Sequence, residues 1–464
     1  MLLLTVLAGC ATQPRFTLES WPHRELWTGV IFNGQKIGFT RREVRAAGGQ
    51  WEIESEAMMR LQFLTVDKRI RLRGVDRVGA DLTLRSFEYE HEIDGNHMRV
   101  AGAVSEGVLR FAVNARGSSE VKEIKLQGPV YPTSALALLP VAEGLKIGAQ
   151  RRHSVFYAEA QQVAHADQMV AAYEASTLYD GSAYRVETQL MGMDTTTWIA
   201  ADGRPVFERS MQGVLISALE HEAVARRYLV EASLNKRDTM LDFTLVKAPP
   251  IPAPRRVSRM DITFLNEMTL PSDGGQRCTR REQRVECSID RTAPLAQDDP
   301  ERYLKATFAA PSNLRDISDL ARAIAGAAKD DDERIARLIA WMDANIAKEA
   351  VDGFTAEDVL RARKGECQGH SYLFAAFARS LGIPTRIVNG LVYAEEYGGF
   401  LYHTWNEAWV AGRGWQPVDA TFGQAHADAT HVKLVEGETG AELLPIVQLV
   451  GRVRVGAVSA LARW

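Results

Sequence analysis

Between Cys367 and Leu381 the chain carries one charged side chain, Arg379, leaving His370 aside. Tyr372, Leu373, Phe374, Phe377 and Leu381 spread over several faces of the helix this stretch predicts. A helix that is apolar nearly all round is buried, so a domain has to be assembled around it. The helix also begins with a thiol. Free backbone N–H groups and the positive end of the helix dipole favour a thiolate there. Cys367 is therefore a candidate nucleophile.

A thiol nucleophile needs a base for its proton and a third group to orient that base. The downstream candidates are His403, in Tyr402-His403-Thr404-Trp405-Asn406-Glu407, and Asp419, which closes Trp415-Gln416-Pro417-Val418-Asp419. On a strand, His403, Trp405, Glu407 and Trp409 share one face. A loop over 410–414 pairs Trp415 with Trp409 and sets Asp419 opposite Trp405. Asp419 is then diagonal to His403 and within side-chain reach. Glu407 competes with Asp419 for the orienting position. His370 lies one helical turn beyond Cys367 and reads as packed or hydrogen-bonded. A zinc site built on Cys367, His370 and His403 lacks a fourth ligand, so no metal is expected. His426 and His431 follow the strands and are expected at the edge of the site.

These residues resemble the transglutaminase-like branch of the papain-fold thiol enzymes. The resemblance rests on Gly365-Glu366-Cys367-Gln368-Gly369-His370, His403-Thr404-Trp405 and Trp415 to Asp419 in that order, with Leu381 to Arg386 as the helix-to-strand link. It covers 313–436. It implies Cys367 as nucleophile, His403 as base and Asp419 as orienting residue, with His370, Trp405, Glu407 and Gln368 in supporting places. Backbone N–H groups near Cys367 would hold an oxyanion. The implied reaction is acyl transfer on a peptide or protein amide through a thioester, without a cofactor. Water resolves the thioester in a cysteine protease or amidase, and an amine does so in a protein-glutamine crosslinking enzyme; hydrolysis is slightly favoured. The competing reading is a catalytically silent envelope protein that binds a partner or cell-wall polymer.

The other cysteines point to location. Cys10 closes Leu7-Ala8-Gly9-Cys10 after the apolar run Leu2 to Leu7, too short to span a bilayer. This resembles the lipobox of bacterial lipoproteins, which implies lipidation at Cys10 and a signal over 1–10. Ala11 in place of Asp implies outer-membrane sorting, so the expected location is the periplasmic face of the envelope, with a lipid as the only membrane anchor. Cys278 and Cys287 flank a polar segment and read as a disulfide across a hairpin or loop. A net charge of -4 over 464 residues, with no basic tail or patch, gives no support for nucleic-acid binding. Oligomeric state is not legible.

The predicted architecture is α+β at the C-terminal end, preceded by an all-β domain. After a tether over 11–26, residues 27–247 alternate in short strands punctuated by Asn33-Gly34, Asp94-Gly95, Asp180-Gly181 and Asp202-Gly203. An antiparallel sandwich or a strongly curved sheet is expected. No catalytic constellation is visible there, although a curved sheet could hold a lipid, glycan or peptide. Arg41-Arg42, Arg151-Arg152 and Arg226-Arg227 read as solvated strand ends or loops. Pro249 to Pro254 reads as a semi-extended linker (248–255). The C-terminal domain then spans 256–464, with helices over 313–328 and 331–347, a Thr355-capped helix, three strands after Leu381 and a closing strand over 444–453.

Overall fold

The computed structural model describes residues 20–462 apart from 22, 65 and 229–236. Cys10 and the 1–10 signal lie outside the described residues, as does most of the 11–26 tether.

The alternating segments form one 15-stranded sheet, from Glu25–Phe32 to Leu215–Glu220. Neighbours are antiparallel except where Tyr131–Pro132 pairs in parallel with Gln150–Tyr157. A sheet of this size curls, because each strand adds right-handed twist. Its two ends meet through side chains: Phe156 near one edge packs against Phe87 and Phe111 near the other, with ring centroids 4.8 and 5.2 Å apart. Inside the curl, Ala135, Leu138, Leu139 and Val141 pack onto Val44, Ile53, Val170 and Ile199. Those four come from the short helical turns Thr133–Ala135 and Leu139–Ala142 and the segment between them. The curved sheet is thus the form taken by the expected all-β region.

One arginine pair departs from expectation. Arg41 and Arg42 sit in the middle of the strand Gln35–Ala47, not at its end. Strand alternation sends Arg41 outward to Glu25, 2.6 Å away. Arg42 turns inward to the chamber enclosed by the curl. The period of two dictates that adjacent charges part company, and the inward one has to be buried.

The C-terminal domain forms around the helix Cys367–Ser380. Residues Gly369 to Arg379 are all buried. Arg379, the helix's one charge apart from its histidine, is held by Thr385 O at 2.9 and 2.7 Å and by Glu438. Helices Arg315–Ala325, Asp331–Asn345 and Ala356–Ala362 pack along it, with Ile335, Leu338, Ile339 and Met342 inward. The third is closed by a capping box between Thr355 and Asp358. On the opposite side the strands Thr385–Ala394, Gly399–Val410, Gly414–Val418 and Val432–Glu436 make a sheet. Ser371 Oγ donates to Thr404 O at 2.9 Å and Asn406 Nδ2 donates to Ser371 O at 3.1 Å, which locks helix to sheet.

A second sheet carries the Cys278–Cys287 disulfide, which joins the paired strands Gln276–Arg281 and Arg284–Asp290. The 444–453 segment is not a strand. Gly440–Leu449 is a helix, because Thr439 and Glu442 form a capping box and Pro445 would deprive a strand of a ladder donor. Val455–Ala462 closes the second sheet instead, against Val257–Phe264. The Pro249 to Pro254 run lies against this domain, with Ile251 and Pro254 buried, and Val246–Lys247 before it pairs with Gly399–Phe400.

Every second hairpin turn of the curled sheet meets the C-terminal half. Arg116 O accepts from Thr355 Oγ1 at 2.9 Å, Ser118 Oγ donates to Phe308 O at 2.7 Å, and Met191 O accepts from Gln448 Nε2 at 3.0 Å. Among the described residues no helix is long and apolar enough to cross a membrane.

Phe374 is fully buried in the centre of the C-terminal core. Phe374→Ala is expected to destabilise that domain by about 3–5 kcal/mol, read as a lowered urea midpoint at unchanged slope.

Candidate active site

The strand register is the one alternation predicts. Trp409 pairs with Trp415 and Asn406 with Val418, so Asp419 follows opposite Trp405. His403 Nε2 lies 2.8 Å from Asp419 Oδ2. Cys367 lies near enough to the ring to be one of the groups that raise its pKa. Cys367 is half-buried and is the one free cysteine among the described residues.

Asp419 is fully buried and fully engaged. Its Oδ1 accepts the backbone N–H groups of Thr421 and Phe422 at 2.7 and 3.2 Å. Its Oδ2 lies within hydrogen-bonding distance of two imidazoles, His403 and His431 at 2.8 and 2.9 Å. Burial disfavours the carboxylate, but the two histidines outweigh it and hold the group well below the usual carboxylate range. Burial likewise lowers His403, yet Asp419 and Cys367 prevail and raise it to about 9. His403 is therefore an imidazolium at neutral pH, paired with the Asp419 carboxylate.

His431 is the residue that sequence reasoning placed only at the site's edge. It has no exposed surface. Its Nδ1 faces Asp428 O at 3.1 Å, and Asp428 and Asp419 raise its pKa against the effect of burial. Asp428 in turn bonds Thr430 and Arg255. Phe422 covers His403 with ring centroids 5.1 Å apart, and the Arg255 guanidinium lies 4.1 Å above Phe422. The one hint in the sequence was the clustering of His426, Asp428 and His431 after the strand. His426 itself is exposed.

The remaining expected residues fall in different places. Trp405 is buried between His403 and His431, at 6.2 and 5.2 Å between ring centroids. Gln368 donates to the Tyr372 hydroxyl one turn along the helix. His370 is buried, with Nδ1 2.9 Å from Glu366 O, and burial lowers its pKa. Glu407 does not orient His403. It is held by Arg386 and Lys433 at 2.5 and 3.1 Å in a separate charge network.

His403, Asp419 and His431 each offer a potential metal-ligand atom, all within 4.8 Å of one another. In the observed geometry the shared carboxylate oxygen joins them by hydrogen bonds.

The curled sheet reaches the same helix end. Its Lys68 ammonium lies 2.6 Å from Asp352 and 3.4 Å from Asp94. Glu366, which precedes Cys367, is pushed well above the carboxylate range by burial and by the negative charge of nearby Asp352. Two adjacent carboxyls in a dry site cannot both ionise cheaply, and Lys68 supplies the compensating charge.

Comparison with known proteins agrees with this architecture. Residues 318–420 match the model of the transglutaminase-like superfamily. Kyphoscoliosis peptidase of Mus musculus is 29% identical over 132 residues, covering 25% of this chain; the chain spans 20% of that relative's length. Among solved structures, a cysteine protease described as putative from Cytophaga hutchinsonii aligns at 16% identity with TM-score 0.30, over 45% of this chain and 86% of that one. A β-barrel-like protein of a domain of unknown function from Brucella abortus aligns at 11% identity with TM-score 0.33, over 42% of this chain and 94% of that one.

The His403 shift fixes a pH dependence. A histidine raised above its unfolded value of about 6.5 contributes stability fully below that pH. That contribution is lost as pH rises through about 9. The depressed Asp419 contributes above its unfolded value of about 3.9 and loses that contribution in acid. The stability difference between the parent and Asp419→Asn, from urea midpoints, is expected to be largest between about pH 4 and 6.5 and to shrink toward pH 9.5. The His403 ring protons should titrate near 9 in the parent and lower in the variant.

Proposed function

We propose, from a C-terminal domain that is transglutaminase-like, that this protein is a cysteine acyl-transfer enzyme acting on peptide or protein amides. The observation that carries the reading is the His403–Asp419 bond of 2.8 Å on an imidazole whose pKa the nearby Cys367 also raises. Cys367 attacks the amide carbonyl, backbone N–H groups at the start of its helix hold the oxyanion, and His403 gives its proton to the leaving amine. A thioester remains on Cys367. Water, activated by His403, then releases the acid. Hydrolysis is favoured over amine transfer because the half-buried Cys367 leaves water a path to the thioester. Asp419 keeps His403 oriented and charged, and His431 keeps Asp419 in place.

The location that fits is the cell envelope, with a lipid on Cys10 as the anchor and the domains facing the periplasm. The Cys278–Cys287 disulfide supports an oxidising compartment.

Intact-mass measurement during turnover of a peptide pool is expected to reveal an acyl adduct on Cys367 and none on Cys367→Ala. His403→Ala should lower kcat/KM by about 10²–10⁴. In the parent, the rate should fall above pH 9 as His403 loses the proton it donates. Added primary amine divides the products: mainly free acid supports hydrolysis, mainly amide supports crosslinking. No adduct and identical peptide patterns for parent and Cys367→Ala would overturn acyl transfer.

A further inference from the structure

The curled sheet encloses a chamber of about 1020 Å³, at the upper end of the range for organic ligands. It is separate from the Cys367 site: neither Cys367, His403 nor Asp419 lines it. Both ends of the curl are packed with apolar side chains, around Leu138 and Leu139 at one end and around Phe32, Leu61 and Phe243 at the other. The middle is different. Inward positions there carry hydroxyls, among them Thr28, Thr40, Thr195 and Ser217. Apolar side chains would fill this volume more favourably if the layer served packing alone.

Charged side chains of both signs line the chamber, and two of them, Arg42 and Glu208, point to a guest. Arg42 projects inward, and its Nη2 atom is shielded from solvent with no hydrogen-bond partner among the described residues. A buried guanidinium nitrogen without an acceptor is costly. Glu208, three strands away in the same sheet, also lines the chamber and is the opposite charge sensed by Arg42. Its Oε2 takes a hydroxyl donor from Thr197 at 3.0 Å. Burial raises its carboxyl above the usual range, so it is poised to gain from a cation. Another acid of the lining, Asp76, is occupied by Tyr89 and Ser134 at 2.5 and 2.6 Å. Glu159 and His91 also line the chamber, the first raised and the second lowered by burial. A guanidinium and a carboxyl that share a dry chamber, with the guanidinium left short of an acceptor, suit a guest that carries both complementary charges.

We propose that the chamber binds a short peptide with free termini, its carboxylate on Arg42, its ammonium on Glu208 and its amides on the hydroxyl belt. The Thr and Ser hydroxyls among the apolar wall residues give peptide amides hydrogen-bond partners that an acyl chain would leave unused. The binding does not depend on the acyl-transfer reading, and its test can fail while that reading stands.

The test uses the full chain carrying Cys367→Ala, so that no peptide is processed. Thermal unfolding and calorimetric titration are run with a pool of random tripeptides and with the same pool acetylated and amidated at its ends. The free pool is expected to raise Tm and to bind, and the blocked pool to do neither. Arg42→Met and Glu208→Gln should each weaken binding about 10–100-fold, the value of one lost charged hydrogen bond. Should either variant misfold, the free-against-blocked comparison on the intact chamber still decides. Equal binding of both pools, no binding of either, or binding of phosphoethanolamine with no peptide binding would overturn the proposal.

Discussion

The geometry of the candidate site depends on one buried carboxylate. Asp419 accepts two backbone N–H groups on one oxygen and meets two imidazoles on the other. A buried carboxylate persists only when so engaged, because desolvation alone would protonate it. Each consequence follows from that charge. It raises His403 and holds both His403 and His431 on one oxygen. His431 is held in turn by Asp428, and Asp428 by Arg255, which also covers Phe422 above His403. The cluster alternates in sign from Asp428 through His431 and Asp419 to His403, so each charge stabilises the next.

How much of this was legible depends on how local the signal is. The Trp409–Trp415 register, and with it the His403–Asp419 diagonal, follows from strand alternation and a short loop, both written within 20 residues or so. The burial of the Cys367 helix follows from its lack of charge. His431 was underestimated because it reaches Asp419 from an irregular segment, where no periodicity tells which way a side chain points. Glu407 shares the strand face with His403, yet Arg386 from the neighbouring strand and Lys433 from the strand beyond claim it. Arg42 was misread as a surface charge because a doublet looks solvated when its position in the strand is unknown. The Gly440–Leu449 helix was missed because its apolar run also suits a strand, and its Thr439–Glu442 cap is the deciding signal.

The curled sheet does more than precede the C-terminal domain. Its hairpin turns bring Lys68 and Asp94 to Asp352 and Glu366, next to the residue that would be acylated. Glu366 is held above the usual carboxylate range there, and Lys68 sets its positive charge against Asp352 and Asp94. The two halves of the chain are therefore coupled electrostatically at the start of the Cys367 helix, even though the large chamber in the sheet lies elsewhere.

The central claim is that Cys367 is activated by His403 held by Asp419. The rate of Cys367 alkylation by iodoacetamide, measured from pH 4 to 10, tests it directly. At about pH 7 the parent should react faster than His403→Ala, with Asp419→Asn in between. Equal rates in the parent and His403→Ala at every pH would contradict the account.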